Sequence, residues 1–372
     1  MKARYVMIGG FLGAGKSTSV AHLAQRFTDR GLRVGLITND QGSNLVDTRT
    51  LRRQGFAVEE IAGGCFCCRF DSLSTAARRL DAESRPDVFL AEPVGSCTDL
   101  VATVSYPLRR LYGDEFTIAP LSVVLDPVRA SRILGLREGR RFSDKVRYVY
   151  LKQLEEAELL VINKIDLLAD TERHRLRREL AERYPQARVL EVSARQELGM
   201  EPWFELLASS ETTERATMDV DYETYGEGEA LLGWLNATLR LASPSELDGN
   251  AWLADLAGSL RDRLQAADAE VAHLKMTLSP EGGINELGRV HLVNLDFVPE
   301  TAERLRDPVR AGQLIVNLRA EASPETLRGC LEAELASRAK PCAAADERLE
   351  LEHLECFQPG QPIPTHRLSV GS

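Results

Sequence analysis

The segment Gly10-Phe-Leu-Gly-Ala-Gly-Lys16-Ser17 constrains the fold of this 372-residue chain more than any other part of its sequence. It follows an apolar run and opens a helical pattern. A GxxxxGK(S/T) pattern in that position is typical of a loop that binds nucleotide phosphates, because its glycines let backbone N–H groups approach the phosphate oxygens. The N-terminus of the following helix also favours an anion. The residues that we predict to line the phosphates are Gly10, Gly13, Ala14, Gly15, Lys16, Ser17 and Thr18.

Four residues have predicted catalytic roles around this loop, Lys16, Asp40, Glu92 and Gly95, and Ser17 is predicted as a Mg²⁺ ligand. Lys16 would reach the β- and γ-phosphates, and the Ser17 hydroxyl would ligate Mg²⁺. Glu92 ends an apolar run, where an acid can complete the Mg²⁺ shell or orient the attacking water. Asp40 follows another run and is placed to act on the same Mg²⁺; for either acid, the alternative is a helix cap. Gly95 can bring its N–H to the γ-phosphate and so sense hydrolysis.

Short apolar, β-branched runs alternate with helical patterns through the first half of the chain. Runs that are apolar on both faces are typical of a buried parallel sheet. Alternation of strands and helices indicates a doubly wound α/β fold with ligands at the carboxyl ends of the strands. We therefore predict a mostly parallel P-loop NTPase sheet. The strand-like runs are 4–9, 33–38, 87–92, 119–126, 158–163 and 188–193, and the helical patterns are 16–29, 71–84, 142–156 and 170–183.

Charge divides the chain near residue 210. Residues 1–210, the predicted P-loop domain, carry 31 basic and 28 acidic side chains, whereas residues 211–372 carry 15 and 28. The acidic, poorly periodic residues 211–229 suit a linker. Residues 230–358 predict a smaller α+β domain, for which a ferredoxin-like arrangement is one option, and the Pro-rich residues 359–372 predict an extended tail. The predicted strands of the second domain are 231–241, 270–278, 289–296, 313–320 and 348–356, and its helices are 250–267 and 324–338.

Composition excludes several classes of protein. A net charge of −10 without a long basic stripe argues against a nucleic-acid partner, since phosphate backbones require clustered Lys and Arg. No apolar run approaches the roughly 18 residues of a membrane span, and the amino end lacks signal-peptide features. Three of the 7 cysteines fall within four positions, which favours reduced thiols and metal over disulfides. We expect a cytoplasmic protein without nucleic-acid or membrane partners.

A second motif predicts which base is bound. Asn163-Lys164-Ile165-Asp166 follows a buried run, and NKxD in that position reads guanine. The Asp166 carboxylate would accept two N–H bonds from the guanine edge, which adenine cannot supply, and an unpaired buried acceptor is costly. Ser193-Ala194, after the next run, would place a backbone N–H near the guanine carbonyl. We predict GTP as the nucleotide, with an ATP-using P-loop kinase as the disfavoured alternative.

Gly63-Gly64-Cys65-Phe66-Cys67-Cys68 is the unusual feature of the sequence. Adjacent cysteines rarely form a relaxed disulfide, whereas Cys-x-Cys-Cys can fold three thiolates around one soft cation. A bound metal would deprotonate the thiols. Buried inert cysteines are the alternative reading. Cys97 is either a fourth ligand or a small core residue, and the sequence leaves that choice open.

The order of the motifs resembles the CobW-like metallochaperone GTPases, relatives of the GTPases that mature nickel enzymes such as hydrogenase and urease. The motifs are the phosphate loop, Cys-x-Cys-Cys, Glu-x-x-Gly and Asn-Lys-x-Asp. The family segment NEFGEVGID is similar to residues 39–47 without a gap, and residues 153–168 are similar to the family's helix into the guanine motif. The resemblance covers roughly residues 4–207.

Four departures from the family pattern stand out. Asp40 and Ser43 stand where the family carries Glu, and Pro93-Val94 stands where relatives often carry Thr-Thr. The His-rich stretch that is common before or within the family's carboxyl domain is missing. The carboxyl domain is similar to the family's in its predicted α+β layout alone.

The resemblance implies a Mg²⁺-dependent GTPase that binds a transition metal at Cys65, Cys67 and Cys68 and delivers it to a client metalloprotein. Thiolates favour Zn²⁺ first, and Co²⁺, Fe²⁺ and Ni²⁺ stay open. We expect the client to contact the acidic carboxyl domain, and the oligomeric state, a homodimer included, is open. The alternative is a metal-sensing module in which GTP gates a partner interaction.

Overall fold

The computed structural model describes residues 2–40, 51–52, 54–212, 215–283, 286–338 and 347–368. These residues form two compact units. The first unit contains the described parts of 1–43, 47–228 and 361–372, and the second contains the described part of 229–360. Among the described residues, no helix combines the length and the apolar character that a membrane crossing requires.

The first unit alternates strands and helices from its start. A π-helical turn (Val101–Ser105) and a 3-10 turn (Ile165–Leu167) interrupt the alternation. In chain order the elements are β1 (Ala3–Gly9), α1 (Lys16–Asp29), β2 (Val34–Asp40), β3 (Ala57–Ala62), α2 (Phe70–Ser84), β4 (Val88–Glu92), α3 (Tyr106–Tyr112), β5 (Phe116–Ile118), β6 (Ser122–Leu125), α4 (Pro127–Ile133), α5 (Asp144–Glu156), β7 (Leu159–Ile162), α6 (Asp170–Arg183), β8 (Arg188–Glu191), α7 (Met200–Ala208) and α8 (Tyr222–Ala230).

The strands of the first unit form an all-parallel sheet. Seven of them lie in the order β3-β2-β4-β1-β6-β7-β8, and β5 pairs with β1 beside β6. The central strands β1, β4, β6 and β7 are buried almost throughout, as predicted from runs without alternation. The doubly wound α/β prediction is confirmed. Because the strands are parallel, the carboxyl ends of β1, β2, β4 and β7 lie at one edge of the sheet, which is where ligands bind in such folds.

Residues 211–229, predicted as a linker, include most of α8 instead. Tyr225 is fully buried in a cluster with Val149 of α5 and Val220. The acidic side chains obscured this small apolar contact in the sequence. Three short strands were also not predicted, because each is brief and only partly apolar: β3, β5 and the strand Glu300–Glu303 of the second unit.

The second unit is built on one antiparallel sheet. Its core consists of apolar side chains from β9, β10, β13 and the helices α9 and α10. Its elements in chain order are β9 (Leu232–Leu247), α9 (Gly249–Ala266), β10 (Glu270–Pro280), β11 (Gly288–Leu292), β12 (Glu300–Glu303), β13 (Val309–Glu321), α10 (Pro324–Arg338) and β14 (Arg348–Phe357).

The sheet order in the second unit is β12-β11-β10-β13-β9-β14, and every pairing is antiparallel. Without β11 and β12, the remaining elements run β-α-β-β-α-β, and the four strands lie in the order second, third, first, fourth. That is the ferredoxin-like arrangement, with β11 and β12 extending one edge of the sheet. The prediction of a smaller α+β domain is confirmed.

Candidate nucleotide pocket and thiol cluster

The loop between β1 and α1 has a backbone that its glycines make possible. Gly10, Gly13 and Gly15 have φ values of 126°, 78° and 97°, which L side chains rarely adopt. A Cβ on Gly10 would lie 2.2 Å from the carbonyl oxygen of Val124, and a Cβ on Gly15 would lie 2.4 Å from Nδ2 of Asn163. The loop therefore passes so close to its neighbours that the glycines are required sterically as well as conformationally.

Lys16 begins α1 and points back into the loop. Its side chain is buried, and its Nζ donates to the carbonyl oxygen of Gly10 (2.8 Å) and more weakly to that of Phe11 (3.5 Å). Thr18, two residues after Lys16 and the last of the predicted phosphate-binding set, is exposed. The ammonium group thus lies inside the concavity of the loop, where phosphate oxygens are the natural acceptors for it.

Ser17 and Glu92 meet at the carboxyl edge of the sheet. The Ser17 hydroxyl donates to Oε1 of Glu92 (3.0 Å), although the two residues lie 75 positions apart. A hydroxyl and a carboxylate side by side are hard oxygen donors, which fit Mg²⁺. Asp40 is the last residue of β2, next to β4 in the sheet, and its side chain lies outside the described residues. The segment 41–47 of the resemblance also lies outside them.

Gly95 follows β4 and touches the phosphate loop. A Cβ at this position would lie 2.7 Å from Cδ2 and 2.9 Å from the backbone N of Leu12, so a larger residue would displace the loop. Gln153 of α5 donates through Nε2 to the carbonyl oxygens of Gly95 (3.0 Å) and Cys97 (2.9 Å). One buried amide therefore fixes the backbone of the segment that leads from the phosphate loop toward Cys97.

Asn163 joins two loops of the predicted base site. Its Nδ2 donates to the carbonyl oxygen of Ala14 (3.0 Å), and its Oδ1 accepts from the backbone N–H of Ala194 (2.9 Å). The Ala194 N–H, predicted to face the guanine carbonyl, thus has Asn163 as its partner here. Ser193 is buried, and Asp166 is exposed after the buried strand β7. The NKxD segment therefore both braces the phosphate loop and presents a carboxylate to solvent.

Lys164 has a role that the motif alone does not reveal. Its φ is 56°, and its Nζ donates to the carbonyl oxygen of Gly13 (2.7 Å) and to Oδ2 of Asp126 (2.8 Å). Burial pushes the pKa of Asp126 up, but the cations of Lys164 and Arg129 beside it bring the pKa below its usual value. Arg129 itself donates to the carbonyl oxygen of Leu12 (2.6 Å).

Asp126 and Arg129 were missed by the motif analysis. Asp126 caps α4 by accepting from the backbone N–H of Arg129, and both side chains are buried. A usable signal was present, because Asp126-Pro127 follows a buried strand and proline favours the first turn of a helix. Arg129, however, bonds to Leu12, 117 positions earlier, and Asp126 pairs with Lys164, 38 positions later, and nothing local indicates these partners.

The three clustered cysteines form a compact group of sulfurs. Within the described part of the chain, the ligand atoms of Cys65, Cys67 and Cys68 all lie within 4.8 Å of one another. The sulfur of Cys65 lies 2.6 Å from that of Cys67 and 2.9 Å from that of Cys68, and the third separation is 3.6 Å. These distances exceed a disulfide bond of about 2.05 Å, so three separate thiols face one point, as a soft cation requires.

Backbone contacts hold the cysteine turn in place. The N–H groups of Cys68 and Arg69 both donate to the carbonyl oxygen of Cys65, which closes a tight turn. Gly64 precedes it with a φ of 154°. Asn39 at the end of β2 donates through Nδ2 to the carbonyl oxygens of Ile61 (2.9 Å) and Gly64 (2.6 Å). The turn is thus tied to the same sheet edge as the phosphate loop.

The thiols change one another's pKa values. Hydrogen bonds from Cys67, Cys68 and Cys97 lower the pKa of Cys65 well below its ordinary value. Hydrogen bonds with Cys65, Cys68 and Cys97 raise the pKa of Cys67, and contact with Cys65 raises the pKa of Cys68 to about 11. One thiolate surrounded by protonated thiols is therefore favoured, and a metal would release the other protons.

Residues 361–368, which we call the strap, lie against the cysteine turn within the first unit. Thr365 donates its backbone N–H to the carbonyl oxygen of Cys67 (2.9 Å) and its hydroxyl to that of Cys68 (3.2 Å). The backbone N–H of Ile363 donates to the sulfur of Cys68 (3.3 Å). The strap therefore covers the side of the cluster where Cys68 is partly exposed.

The second half of the strap is anchored to the segment after Gly95. Arg367 donates through Nε to Oδ2 of buried Asp99 (2.7 Å), and Tyr222 donates its hydroxyl to the same oxygen (2.7 Å). Burial raises the pKa of Asp99, against the opposing effect of these two donors. The ring of His366 packs edge-on against Phe70 of α2, with centroids 5.0 Å apart. Residues 361–368 of the predicted extended tail are thus a packed part of the first unit.

Known proteins are similar to the part of the chain that contains the nucleotide motifs. The model of the family described as "CobW/HypB/UreG, nucleotide-binding domain" matches residues 4–191. The zinc chaperone CobW of Sinorhizobium sp is 30% identical over 184 residues, which are 44% of this chain and 51% of that protein. The zinc chaperone YeiR of Escherichia coli (strain K12) is 29% identical over 163 residues, 43% of this chain and 46% of the relative. The chain spans about half the length of these curated relatives.

Two solved structures are similar at low identity. HypB from Helicobacter pylori in complex with nickel is 18% identical with a TM-score of 0.43, covering 59% of this chain and 92% of that one. The Zn(II)-bound YjiA GTPase from E. coli is 13% identical with a TM-score of 0.37, covering 90% and 99%. At these scores the similarity says nothing about what this chain binds. The family match is different, because it runs from β1 through β8 over more than half of the chain. As its motifs predicted, the chain belongs to the CobW/HypB/UreG nucleotide-binding domain family.

Proposed function

We propose that this chain is a Mg²⁺-dependent GTPase that binds a transition metal at Cys65, Cys67 and Cys68 and passes it to a client metalloprotein. The observation that carries the proposal is a three-sulfur cluster in the same unit as a complete phosphate loop and an NKxD segment. Family membership supports the nucleotide half of the proposal. The zinc chaperones among the curated relatives support Zn²⁺ as the first choice of cargo, ahead of Co²⁺, Fe²⁺ and Ni²⁺.

We propose four roles for the residues at the phosphate end of the pocket. Lys16 would contact the β- and γ-phosphates, and Ser17 with Glu92 would hold Mg²⁺ between them, with Asp40 as a further candidate from β2. Bound Mg²⁺ supplies positive charge that stabilises the charge developing on the phosphates. Glu92 is also suited to orient the attacking water. Gly95, packed on the loop at Leu12, would donate its N–H to the γ-phosphate and lose that contact after hydrolysis.

For the residues at the base end of the pocket we propose guanine recognition. Asp166 would accept two N–H bonds from the guanine edge, which adenine does not offer. Asn163 and Lys164 would hold the phosphate loop in register with the base through their contacts with Ala14 and Gly13. The N–H of Ala194 would turn from Asn163 to the guanine carbonyl.

We propose the cysteine cluster as the cargo site. Three soft sulfurs select a transition metal over Mg²⁺, so the two metals of this protein would occupy chemically separate sites. Moving the cargo site from 99% loaded to 99% empty requires about 5.5 kcal/mol of differential affinity between nucleotide states. The segment held by Gln153, which runs from Gly95 to Cys97, is the physical connection that would carry this difference. The client would dock on the acidic carboxyl half of the chain through a basic surface.

The guanine assignment is tested by Asp166→Asn. We expect the variant to lose its preference for GTP over ATP in a competition binding titration, because an amide no longer accepts both N–H bonds. Asp170→Asn, four residues further along and also exposed, is the matched control and should keep the preference. Unchanged discrimination in Asp166→Asn would refute the assignment, and a parent that prefers ATP would favour the kinase alternative.

The cargo assignment is tested by replacing Cys65, Cys67 and Cys68 together with Ser. The variant should lose roughly one equivalent of bound Zn²⁺ by elemental analysis while it still binds GTP, since one cluster holds one ion. Parent protein should then bind Zn²⁺ with different affinity in the presence of a GTP analogue and of GDP. Retained stoichiometry would exclude the site, and equal affinities would leave delivery without a driving force.

The second candidate function is that of a metal-sensing module, and the burial of the cluster cysteines favours it. Cys65 and Cys67 are only 3% and 1% exposed, which suits retention of a metal better than its rapid transfer. In that case the loaded cluster would gate a partner interaction, and GTP would only stabilise one state. Single-turnover GTP hydrolysis measured with and without Zn²⁺, together with transfer to a chelator, separates the two: hydrolysis-linked transfer supports delivery.

A further inference from the structure

We propose that Cys97 is the fourth sulfur ligand of the metal held by Cys65, Cys67 and Cys68. This inference rests on the proposed cargo site and extends it. Zn²⁺ in proteins is almost always four-coordinate and tetrahedral when its site is closed. Three cysteines of one turn leave one position to be filled, and the side chain that fills it decides whether the site is closed or open to solvent.

The placement of Cys97 singles it out for this position. Its side chain is 1% exposed, and its thiol makes side-chain hydrogen bonds with both Cys65 and Cys67. Cys68 contacts the same two sulfurs from the turn itself. Cys65, Cys67 and Cys68 form the close group of three sulfurs, and Cys97 bonds from outside that group to two of its members, Cys65 and Cys67.

The spacing of the sulfurs fits a site that opens around an ion. Sulfurs about 2.3 Å from Zn²⁺ at tetrahedral angles lie about 3.8 Å apart. The separations from Cys65 to Cys67 and Cys68 are 2.6 and 2.9 Å, so a metal would push these sulfurs apart by about 1 Å. Cys65 and Cys67 are the residues that Cys97 also contacts. The expansion would therefore place the ion within reach of all four sulfurs.

The backbone of Cys97 is fixed before any metal arrives. Its N–H donates to the carbonyl oxygen of Val94 (3.0 Å), and its own carbonyl accepts from Gln153 (2.9 Å). With both backbone groups bonded, rotation about one side-chain torsion sets the position of the sulfur. Such preorganisation is expected of a ligand, because little conformational entropy is then lost on binding.

A fourth ligand from this segment has a mechanistic consequence. Three ligands lie on the turn at 65–68, whereas Cys97 lies two residues after Gly95, the residue packed on the phosphate loop. Each thiol gives up its proton to solvent as its sulfur binds the ion. Movement of the Gly95 segment after hydrolysis would withdraw one sulfur and open one coordination position. Cys97 would thus be the ligand whose dissociation starts metal release.

The test uses the full-length protein loaded with Co²⁺ or Zn²⁺. Cys97→Ser should lose about a quarter of the sulfur-to-cobalt charge-transfer absorption, as expected for three sulfurs in place of four. Its Zn²⁺ affinity in a chelator competition should fall by at least about 100-fold, the upper end of what a disturbed supporting contact costs. Cys330→Ser, a buried thiol of the second unit, is the matched control and should change neither value. An unchanged spectrum and affinity in Cys97→Ser would overturn the proposal.

A second measurement needs no variant. X-ray absorption of the Zn²⁺-loaded parent should report four sulfur neighbours. Three sulfurs with one nitrogen would instead point to His366 of the strap, and three with one oxygen to water; either result would overturn the assignment of Cys97. Cys65→Ser separates this inference from the proposed function. If Cys65→Ser also retains full metal binding, the cargo site itself is wrong, whereas loss in Cys65→Ser with no change in Cys97→Ser refutes only the fourth ligand.

Discussion

The nucleotide pocket and the thiol cluster occupy the same unit but are constructed in opposite ways. In the pocket, side chains hold backbone: Asn163 and Lys164 bond to the carbonyl oxygens of Ala14 and Gly13, about 150 positions earlier in the chain. In the cluster, a tight turn of the backbone brings the cysteine side chains together. The sulfurs come from one tight turn, and the N–H of Ile363 approaches one of them from the strap.

This difference explains which site the sequence could describe more fully. Motif residues of the pocket, such as Asn163 and Lys164, also make bonds that assemble it, although Asp126 and Arg129 lie outside the motifs. The motif of the cluster contains three sulfurs, but the segments that surround them, with Cys97 and Thr365, carry no pattern of their own. A short motif can therefore mark a site without marking its boundary.

The largest effect that separates the two regions is expected from Gly15→Ala. The new Cβ would lie 2.4 Å from Nδ2 of Asn163 at a φ of 97°, so the loop and the NKxD segment must move apart. We expect GTP affinity to fall by about 100-fold or more, since a left-handed alanine costs about 1–2 kcal/mol and each lost buried hydrogen bond about 1 kcal/mol or more. Zn²⁺ stoichiometry should stay unchanged, as measured in parallel on the same preparation.

Gly31→Ala is the matched control for that variant. Gly31 also has a positive φ, 78°, but a Cβ there would meet nothing within 4 Å. It should cost stability of about 1 kcal/mol and leave nucleotide binding intact. If Gly15→Ala lost Zn²⁺ together with GTP, the two regions would be one cooperative site and the contrast between them would be wrong.

Much of the fold was accessible from the sequence because its signals are local. The six predicted runs of the first half coincide with β1, β2, β4, β6, β7 and β8, since unbroken apolar runs survive into a buried parallel sheet. The second domain was predicted because its strands and helices alternate with clear periodicity. The helix α8 in the predicted linker was not predicted. It depends on a few apolar residues, such as Tyr225, that pack against residues distant in the sequence.

The candidate site shows the same distinction between local signals and contacts that are distant in the sequence. The positions of Lys16, Ser17 and Glu92 follow from parallel strands that end at one edge, which a pattern can predict. The ion pair of Lys164 with Asp126 and that of Arg367 with Asp99 join positions 38 and 268 residues apart. Such pairings are decided by tertiary packing, and a single sequence does not contain that information.

The second expected effect concerns the boundary of the cluster. A chain ending at Gly360 lacks the strap and with it the contacts on Cys67, Cys68 and Asp99. We expect the cluster thiols to be alkylated about ten times faster, because protection that depends on a local structure is lost when that structure is removed. GTP affinity should not change, and Tm should fall by several degrees, since loss of Arg367 weakens the pairing of buried Asp99.

A chain ending at Leu368 keeps every described contact of the strap and is the control for the shorter one. It should match the parent in alkylation rate, which is measured by mass spectrometry of labelled peptides over time. Equal rates for all three chains would mean that the turn protects its own sulfurs. The strap would then have no part in the cluster, and the contrast drawn between motif and boundary would not hold.

The smallest expected effect tests the segment that connects the nucleotide pocket with the thiol cluster. Glu156 of α5 lies fully buried beneath the segment after Cys97, where it accepts from the hydroxyl of Thr98 (3.2 Å) and the backbone N–H of Val101 (3.3 Å). Burial first, and then the nearby charge of Asp99, raises its pKa to about 8. The side chain is therefore mostly protonated at neutral pH in the folded protein.

The sign of the pH effect follows from this raised pKa. Between the ordinary value of 4.5 and about 8, the folded chain holds a proton on Glu156 that the unfolded chain has lost. Stability should thus decline as pH rises through this window, by at most about 1.4 kcal/mol per pH unit from this group. Glu156→Gln, which mimics the protonated acid, should match the parent near pH 5 and exceed it at pH 8 in denaturant unfolding. Glu155→Gln changes the exposed neighbour of Glu156, and its stability should follow that of the parent at every pH. If the stability of Glu156→Gln changed with pH in parallel with that of the parent, this carboxyl would not link protonation to the segment between the nucleotide pocket and the thiols.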